Sequence, residues 1–69
     1  VLKECLDRHL DKLPSGQRMA ITLNDIEGIS PAEICNTLSI SPTNFRVLLH
    51  RARIRIFGMV SQYEETGEC

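Results

Sequence analysis

The chain has no tryptophan, one tyrosine and two phenylalanines. A core built from it rests on Leu, Ile, Val and Met rather than on stacked aromatics. It lacks any apolar run of the roughly 20 residues that a membrane-spanning helix takes, and no signal-peptide pattern is present. No segment alternates apolar and polar residues as a half-buried strand does. Repeats and low-complexity stretches are absent as well. The three cysteines, Cys5, Cys35 and Cys69, are odd in number and irregularly spaced, which argues for free thiols in a reduced, cytoplasmic setting. Cys5 and His9 stand four apart, as half of a metal site does, but no second pair at ligand spacing follows. Neither a metal nor any other cofactor is expected. No nucleophile is recognisably paired with a base, so the chain does not read as an enzyme.

At 69 residues the chain holds one small domain. A domain of this size buries roughly 60% of its unfolded surface, so close helix packing must supply its stability. The first residue is Val rather than Met and enters a helical pattern directly. The expectation is a piece of a longer protein.

Acidic residues are missing from one long interval. No Asp or Glu lies between Glu33 and Glu64, and Arg46, Arg51, Arg53 and Arg55, with His50, fall inside it. The formal net charge is −1, yet the molecule is electrically polarised. Its basic segment has the character of a nucleic-acid-binding face.

Leu2, Leu6, Leu10 and Leu13 recur at helical spacing and form one stripe among charged residues. Pro14 and Gly16 interrupt it. A second helix is expected from about Ser15 to Glu27, with Met19, Ile21, Leu23 and Ile26 as core candidates and Gly28 as its left-handed stop. Ser30 is a good N-cap, Pro31 suits the first helical position, and Glu33 completes a Ser-x-x-Glu capping box. This third helix buries Ile34, Cys35 and Leu38. After the turn at Ser39-Ile40, Ser41 and Pro42 repeat the cap-and-proline device and open a fourth helix.

On that helix, with 100° per residue and Phe45 pointing inward, Leu49, Ala52 and Ile56 share its face, and Leu48 and Met59 lie at the edge. Thr43, Arg46, Val47, His50 and Ile54 point away. Gly58 is expected to end or loosen the helix. The segment from 61 to 69 shows no periodicity and reads as a flexible acidic tail, leaving 1–60 as the folded domain. Two helices joined by so tight a turn, the second basic, form a helix-turn-helix that places its second helix in a DNA major groove. The expected fold is an all-α, four-helix domain of the three-helical or winged-helix-like DNA-binding class.

Chemistry assigns the candidate contacts. Arg46 suits a bidentate contact to guanine, and Val47 a thymine methyl. Thr43, Asn44 and His50 complete the base-facing set. Thr43 and Asn44 also lie in the first turn, where backbone N–H groups favour phosphate, and Asn44 has an alternative as a local cap at Ser41. Ser41, Arg51, Arg53 and Arg55 suit phosphate. The fourth helix carries more apolar residues than one core face buries. Leu48, Ile54 and Phe57 are therefore candidates for a protein interface.

Leu13-Pro14, Gln17-Arg18, Glu27-Gly28-Ile29-Ser30, Glu33-Ile34, Leu38-Ser39-Ile40-Ser41 and Leu49-His50-Arg51-Ala52-Arg53, in that order and spacing, resemble the C-terminal DNA-binding domain of bacterial sigma factors. That domain is region 4, and the likeness is to the extracytoplasmic-function (ECF) group over residues 2 to 57. The resemblance implies a helix-turn-helix that reads the promoter −35 element, docks on the β flap of core RNA polymerase and is masked by an anti-sigma factor. It places Arg46 among the base contacts. The chain departs from the family pattern at Ser39, where Gly is usual, at Val47 and Leu48, and at Cys35, where Ala is usual. Two rival readings stay open: the output domain of a LuxR-type response regulator, and a protein-interaction domain that has lost DNA binding.

Overall fold

The computed structural model of the chain describes residues 2–69. Helix α1 spans Leu2–Lys12 and α2 spans Ser15–Ile21. The chain then widens into a π-helical turn, Thr22–Ile26. Helix α3 spans Pro31–Leu38 and α4 spans Pro42–Thr66. The described residues contain no strand, so the all-α expectation holds.

Pro14 precedes α2, and the core face of that helix is Gln17, Ala20 and Ile21. The helix expected from about Ser15 to Glu27 forms, but it changes from α to π at Thr22. The Glu27 N–H donates to the Thr22 carbonyl at 2.9 Å, five residues back, and the wider ring shifts the phase of everything after Ile21. Ile26, expected in the core, is exposed, as is Met19 on α2 ahead of the turn, while Leu23 packs against the core only in part. Gly28 adopts φ +74° as its position requires. Asn24 Nδ2 donates to the Ile29 carbonyl at 3.0 Å and holds the chain as it reverses into α3.

Both cap-and-proline signals work as the sequence implies. The Glu33 N–H donates to Ser30 Oγ at 3.3 Å and the Asn44 N–H to Ser41 Oγ at 3.0 Å, each satisfying one orphan donor of its helix. Between them Ser39 takes the left-handed conformation (φ 57°, ψ 45°). The Ile40 N–H then closes on the Cys35 carbonyl at 3.1 Å. A short turn with a reversed residue is what sets α4 across α3.

Helix α4 has 25 residues and extends about 38 Å at 1.5 Å per residue. It runs the length of a molecule whose extents are 39 × 18 × 17 Å. Its buried positions, Phe45, Leu49, Ala52, Ile56 and Met59, form one stripe that includes the face assigned from the sequence. Its members Phe45, Leu49, Ala52 and Ile56 join Leu10, Leu13, Ala20, Ile21 and Ile34 in a single core. Ala20 on α2 and Ala52 on α4 have no exposed surface, and one-carbon side chains let packed helices approach closely. Gly58 does not stop α4. The helix continues to Thr66 and ends at Gly67, φ +73°, so residues 61–66 are helical rather than irregular.

This continuation overturns the expectation of three free thiols. The end of α4 returns the chain to α1, and Cys5 and Cys69 form a disulfide with Cα atoms 5.6 Å apart. Their separation of 64 residues gives no hint of contact in the sequence. Cys35 remains a free, half-buried thiol.

Candidate nucleic-acid interface

The first three turns of α4 bury Phe45 and Leu49 and leave their opposite side exposed. Thr43, Arg46, Val47, His50 and Arg51 line one shallow concave face there. All five are exposed. The 3.6-residue period explains the grouping, since Thr43, Val47 and Ile54 fall within about 40° of the direction opposite Phe45. Arg46 and His50 rim this stripe on one side and Arg51 on the other. The set expected to meet base edges is thus brought together, and Asn44 stands exposed beside it.

The first turn also has the polarity an anion needs. Pro42 has no N–H. The Asn44 N–H is committed to Ser41 Oγ and the Phe45 N–H to the Ser41 carbonyl. That answers the question about Asn44: its backbone is capped by Ser41, and its side chain stays free. The Ser41 hydroxyl accepts this bond and keeps its own proton to donate. With the Thr43 N–H, it forms a donor pair at the positive end of a 25-residue helix.

The basic side chains divide into two kinds. Arg46, Arg51 and Arg55 are exposed and enter no ion pair among the described residues, where the one salt bridge is that of Arg53. Arg53, expected to meet phosphate, has another partner. Its Nε and Nη2 donate to the two oxygens of Asp25 at 2.8 and 2.6 Å, and Nη2 reaches Asn24 Oδ1 at 3.4 Å. The fork of the guanidinium is filled by a carboxylate, so Arg53 joins α4 to the π-helical turn instead. Hydrogen bonding to Arg53 holds the Asp25 carboxyl below its usual range against a smaller opposing effect of burial. The same bond raises the Arg53 guanidinium. Sequence reasoning missed Asp25 because it sits 28 residues away in the acidic half, with no local spacing to mark it.

The three residues expected at a protein interface also separate. Leu48 is half-buried and belongs to the inside of the domain: a Cβ added at Gly16 on α2 would lie 3.3 Å from Leu48 Cδ2. Gly16 thus makes room for it. Ile54 and Phe57 are 59% and 57% exposed. Phe57 is continuous with an apolar surface formed with Leu6, Ile26 and Val60. Ile26, itself 57% exposed, comes to that surface from the π-helical turn. No helix is long and apolar enough to cross a membrane among the described residues.

Residues 3–56 match the family model described as sigma-70, region 4. No solved structure matches the chain.

Proposed function

This chain belongs to the sigma-70 region 4 family, and we propose that it is the −35-reading domain of an alternative sigma factor of the ECF group. A domain of this family is a helix-turn-helix that binds the promoter −35 element and core RNA polymerase in transcription initiation; it is not an enzyme. The observation that carries the reading is the convergence of Thr43, Arg46, Val47, His50 and Arg51 on one exposed face immediately after the Ser41 cap.

Helix α4 enters the major groove by its N-terminal turns. Arg46 donates two parallel hydrogen bonds to guanine O6 and N7, Val47 lies against a thymine methyl, and Thr43, Asn44 and His50 read neighbouring edges. Ser41 and the Thr43 N–H fix one phosphate, while Arg51 and Arg55 neutralise others along the strand. Arg53 does not touch DNA. It positions α4 through Asp25. The setting is the cytoplasm, where the promoter and polymerase are.

Ile54 and Phe57 supply the protein surface, covered by polymerase or by an anti-sigma factor. Ile54 shares a stripe with Val47, so an anti-sigma helix laid over it also covers the DNA face. Inhibitor and promoter then exclude each other.

The deciding experiment is fluorescence anisotropy of the chain on a labelled −35 duplex and on a scrambled duplex, across a salt series. Tighter binding to the −35 duplex, falling steeply with salt, is the expected result. Equal affinity for both duplexes removes the base-reading assignment. Absence of binding to either favours a domain that only binds protein.

A further inference from the structure

About 27 Å along α4 from Ser41, at 1.5 Å per residue, four soft donors meet. Cys5 Sγ and Cys69 Sγ each lie 3.8 Å from His9 Nδ1, and the three ligand atoms are all within 4.8 Å of one another. Met59 Sδ closes the group from beneath, 3.4 Å from Cys5 Sγ. A disulfide alone accounts for the nearness of two of these residues. The i, i+4 spacing on α1 sets His9 beside Cys5; the fold adds Cys69 at the same distance from the imidazole nitrogen and a buried thioether against Cys5.

We propose that the reduced form of this cluster is a binding site for a thiophilic d10 ion, Cu(I) or Zn(II), exchanged for the Cys5–Cys69 disulfide on oxidation. Around a tetrahedral ion with metal–sulfur bonds of about 2.3 Å and metal–nitrogen bonds of about 2.05 Å, sulfur and nitrogen ligands stand about 3.6 Å apart and two sulfurs about 3.8 Å. The sulfur–nitrogen distances already match. The two cysteine sulfurs must separate, and the Cys5–Met59 pair opens by a few tenths of an ångström; Cys69 is free to move, being exposed and beyond the helix stop at Gly67. Cys5 and Met59, both buried, form the fixed wall. His9 Nδ1 sits 3.0 Å from the Cys5 carbonyl. To bind the ion it gives up that hydrogen bond, and the ring proton moves from Nδ1 to Nε2, which leaves the Nδ1 lone pair for the ion. Two thiolates, an imidazole and a thioether form a soft set that disfavours Mg(II) and Ca(II).

The chemistry balances with a dithiol reductant and a peroxide. The dithiol gives two electrons and two protons to the Cys5–Cys69 bond, which breaks into two thiols while the reductant becomes a disulfide. The ion then displaces both thiol protons to solvent and binds the thiolates. In reverse, hydrogen peroxide takes two electrons from the thiolates and, with two protons, becomes two waters. The S–S bond re-forms and the ion leaves. Either closure ties the end of α4 to α1, and only the dithiol without an ion leaves that end untied.

The test titrates the 69-residue chain, reduced and under anaerobic conditions, with Zn(II) alone and with Cu(I) buffered by a competing chelator. Metal content and mass are read after desalting. One ion per reduced chain and none per peroxide-treated chain is expected. Cys69→Ser is expected to weaken binding by about 100-fold and His9→Gln by about tenfold. Met59→Leu weakens Cu(I) but leaves Zn(II) unchanged, because a thioether is a ligand only for the softer ion. Cys5 is buried and its replacement endangers the fold, so the argument rests on Cys69 and His9, with circular dichroism confirming that each variant stays helical. A reduced chain that retains neither ion, or a Cys69→Ser variant that binds both as tightly as the parent, overturns the proposal.

Discussion

The Arg53 guanidinium grips the Asp25 carboxylate through two hydrogen bonds, Nε to Oδ2 at 2.8 Å and Nη2 to Oδ1 at 2.6 Å. The pair joins the long helix to the π-helical turn and takes one arginine out of the basic face. Its geometry is bidentate, but the side chains are 41% and 29% exposed. Solvent screening therefore limits its contribution to the range of surface pairs, about 0.2–1 kcal/mol.

The pH dependence follows from the lowered Asp25 carboxyl. A carboxylate whose pKa is depressed by folding stabilises the fold fully above its unfolded value, near 3.8. That contribution is lost as pH falls through the folded value. Asp25→Asn should therefore be less stable than the parent near neutrality, by up to about 1 kcal/mol, and the gap should close in strong acid. Urea denaturation of both chains across acid pH measures it. A gap that persists below the folded pKa means that the asparagine disturbs something other than the ion pair.

The two kinds of arginine should separate in DNA binding. Arg51→Ala and Arg55→Ala are each expected to lower the slope of log affinity against log salt by roughly one unit on every sequence. Arg53→Ala should leave that slope unchanged. A reduced slope in Arg53→Ala would mean that the arginine leaves Asp25 for phosphate in the complex.

Arg46→Ala should cost about 1–3 kcal/mol on the −35 duplex and relax discrimination at one or two base pairs. Anisotropy on a panel of single-base variants reads this directly. Equal losses on specific and scrambled duplexes would reduce Arg46 to a phosphate contact.

Two backbone positions should respond in opposite chemical directions. Ser39 holds φ 57°, a conformation that costs a residue with a Cβ about 1–2 kcal/mol. Ser39→Gly should raise stability by part of that, since glycine also frees the unfolded chain. Gly58 lies inside α4, with nothing within 4 Å of an added Cβ, so Gly58→Ala should raise stability by about 0.5–1 kcal/mol. Thermal unfolding checks both. A destabilised Gly58→Ala chain would show that α4 bends there.

Gln17 is 7% exposed and its Oε1 is buried without a hydrogen-bond partner among the described residues. A buried acceptor left unpaired costs about 1–3 kcal/mol. Gln17→Leu should therefore stabilise the domain, by about 1 kcal/mol once imperfect fit of the new side chain is allowed for. Loss of stability instead would assign Gln17 a packing role that leucine does not fill.

The disulfide closes most of the chain, and the loop-closure argument for 64 residues gives up to about 4 kcal/mol. A dithiol should lower the unfolding midpoint in urea accordingly. An unchanged midpoint would show that the end of α4 frays independently of the core.

Local chemistry was enough for the sequence to determine the caps at Ser30 and Ser41, the turn at Ser39, the stop at Gly28 and the inward stripe of Phe45, Leu49, Ala52 and Ile56. Each depends on residues within one or two turns of one another, and a 3.6-residue period carries that information. The exposed set around Arg46 was legible for the same reason, being the remainder of that helix once its core face is known. The tertiary structure alone decided the partner of Arg53, the half-burial of Leu48 against Gly16 and the meeting of Cys5, His9, Met59 and Cys69. Those relationships join residues tens of positions apart, and their distances depend on how helices cross. The π-helical turn stands between the two cases. Thr22–Ile26 carries an ordinary helical pattern, and it is the reversal at Gly28 and the packing of the core that displace Ile26 to the surface. The run through Gly58 to Thr66 is likewise a tertiary outcome, since α1 and the far end of α4 support each other where neither stretch of sequence predicts the contact.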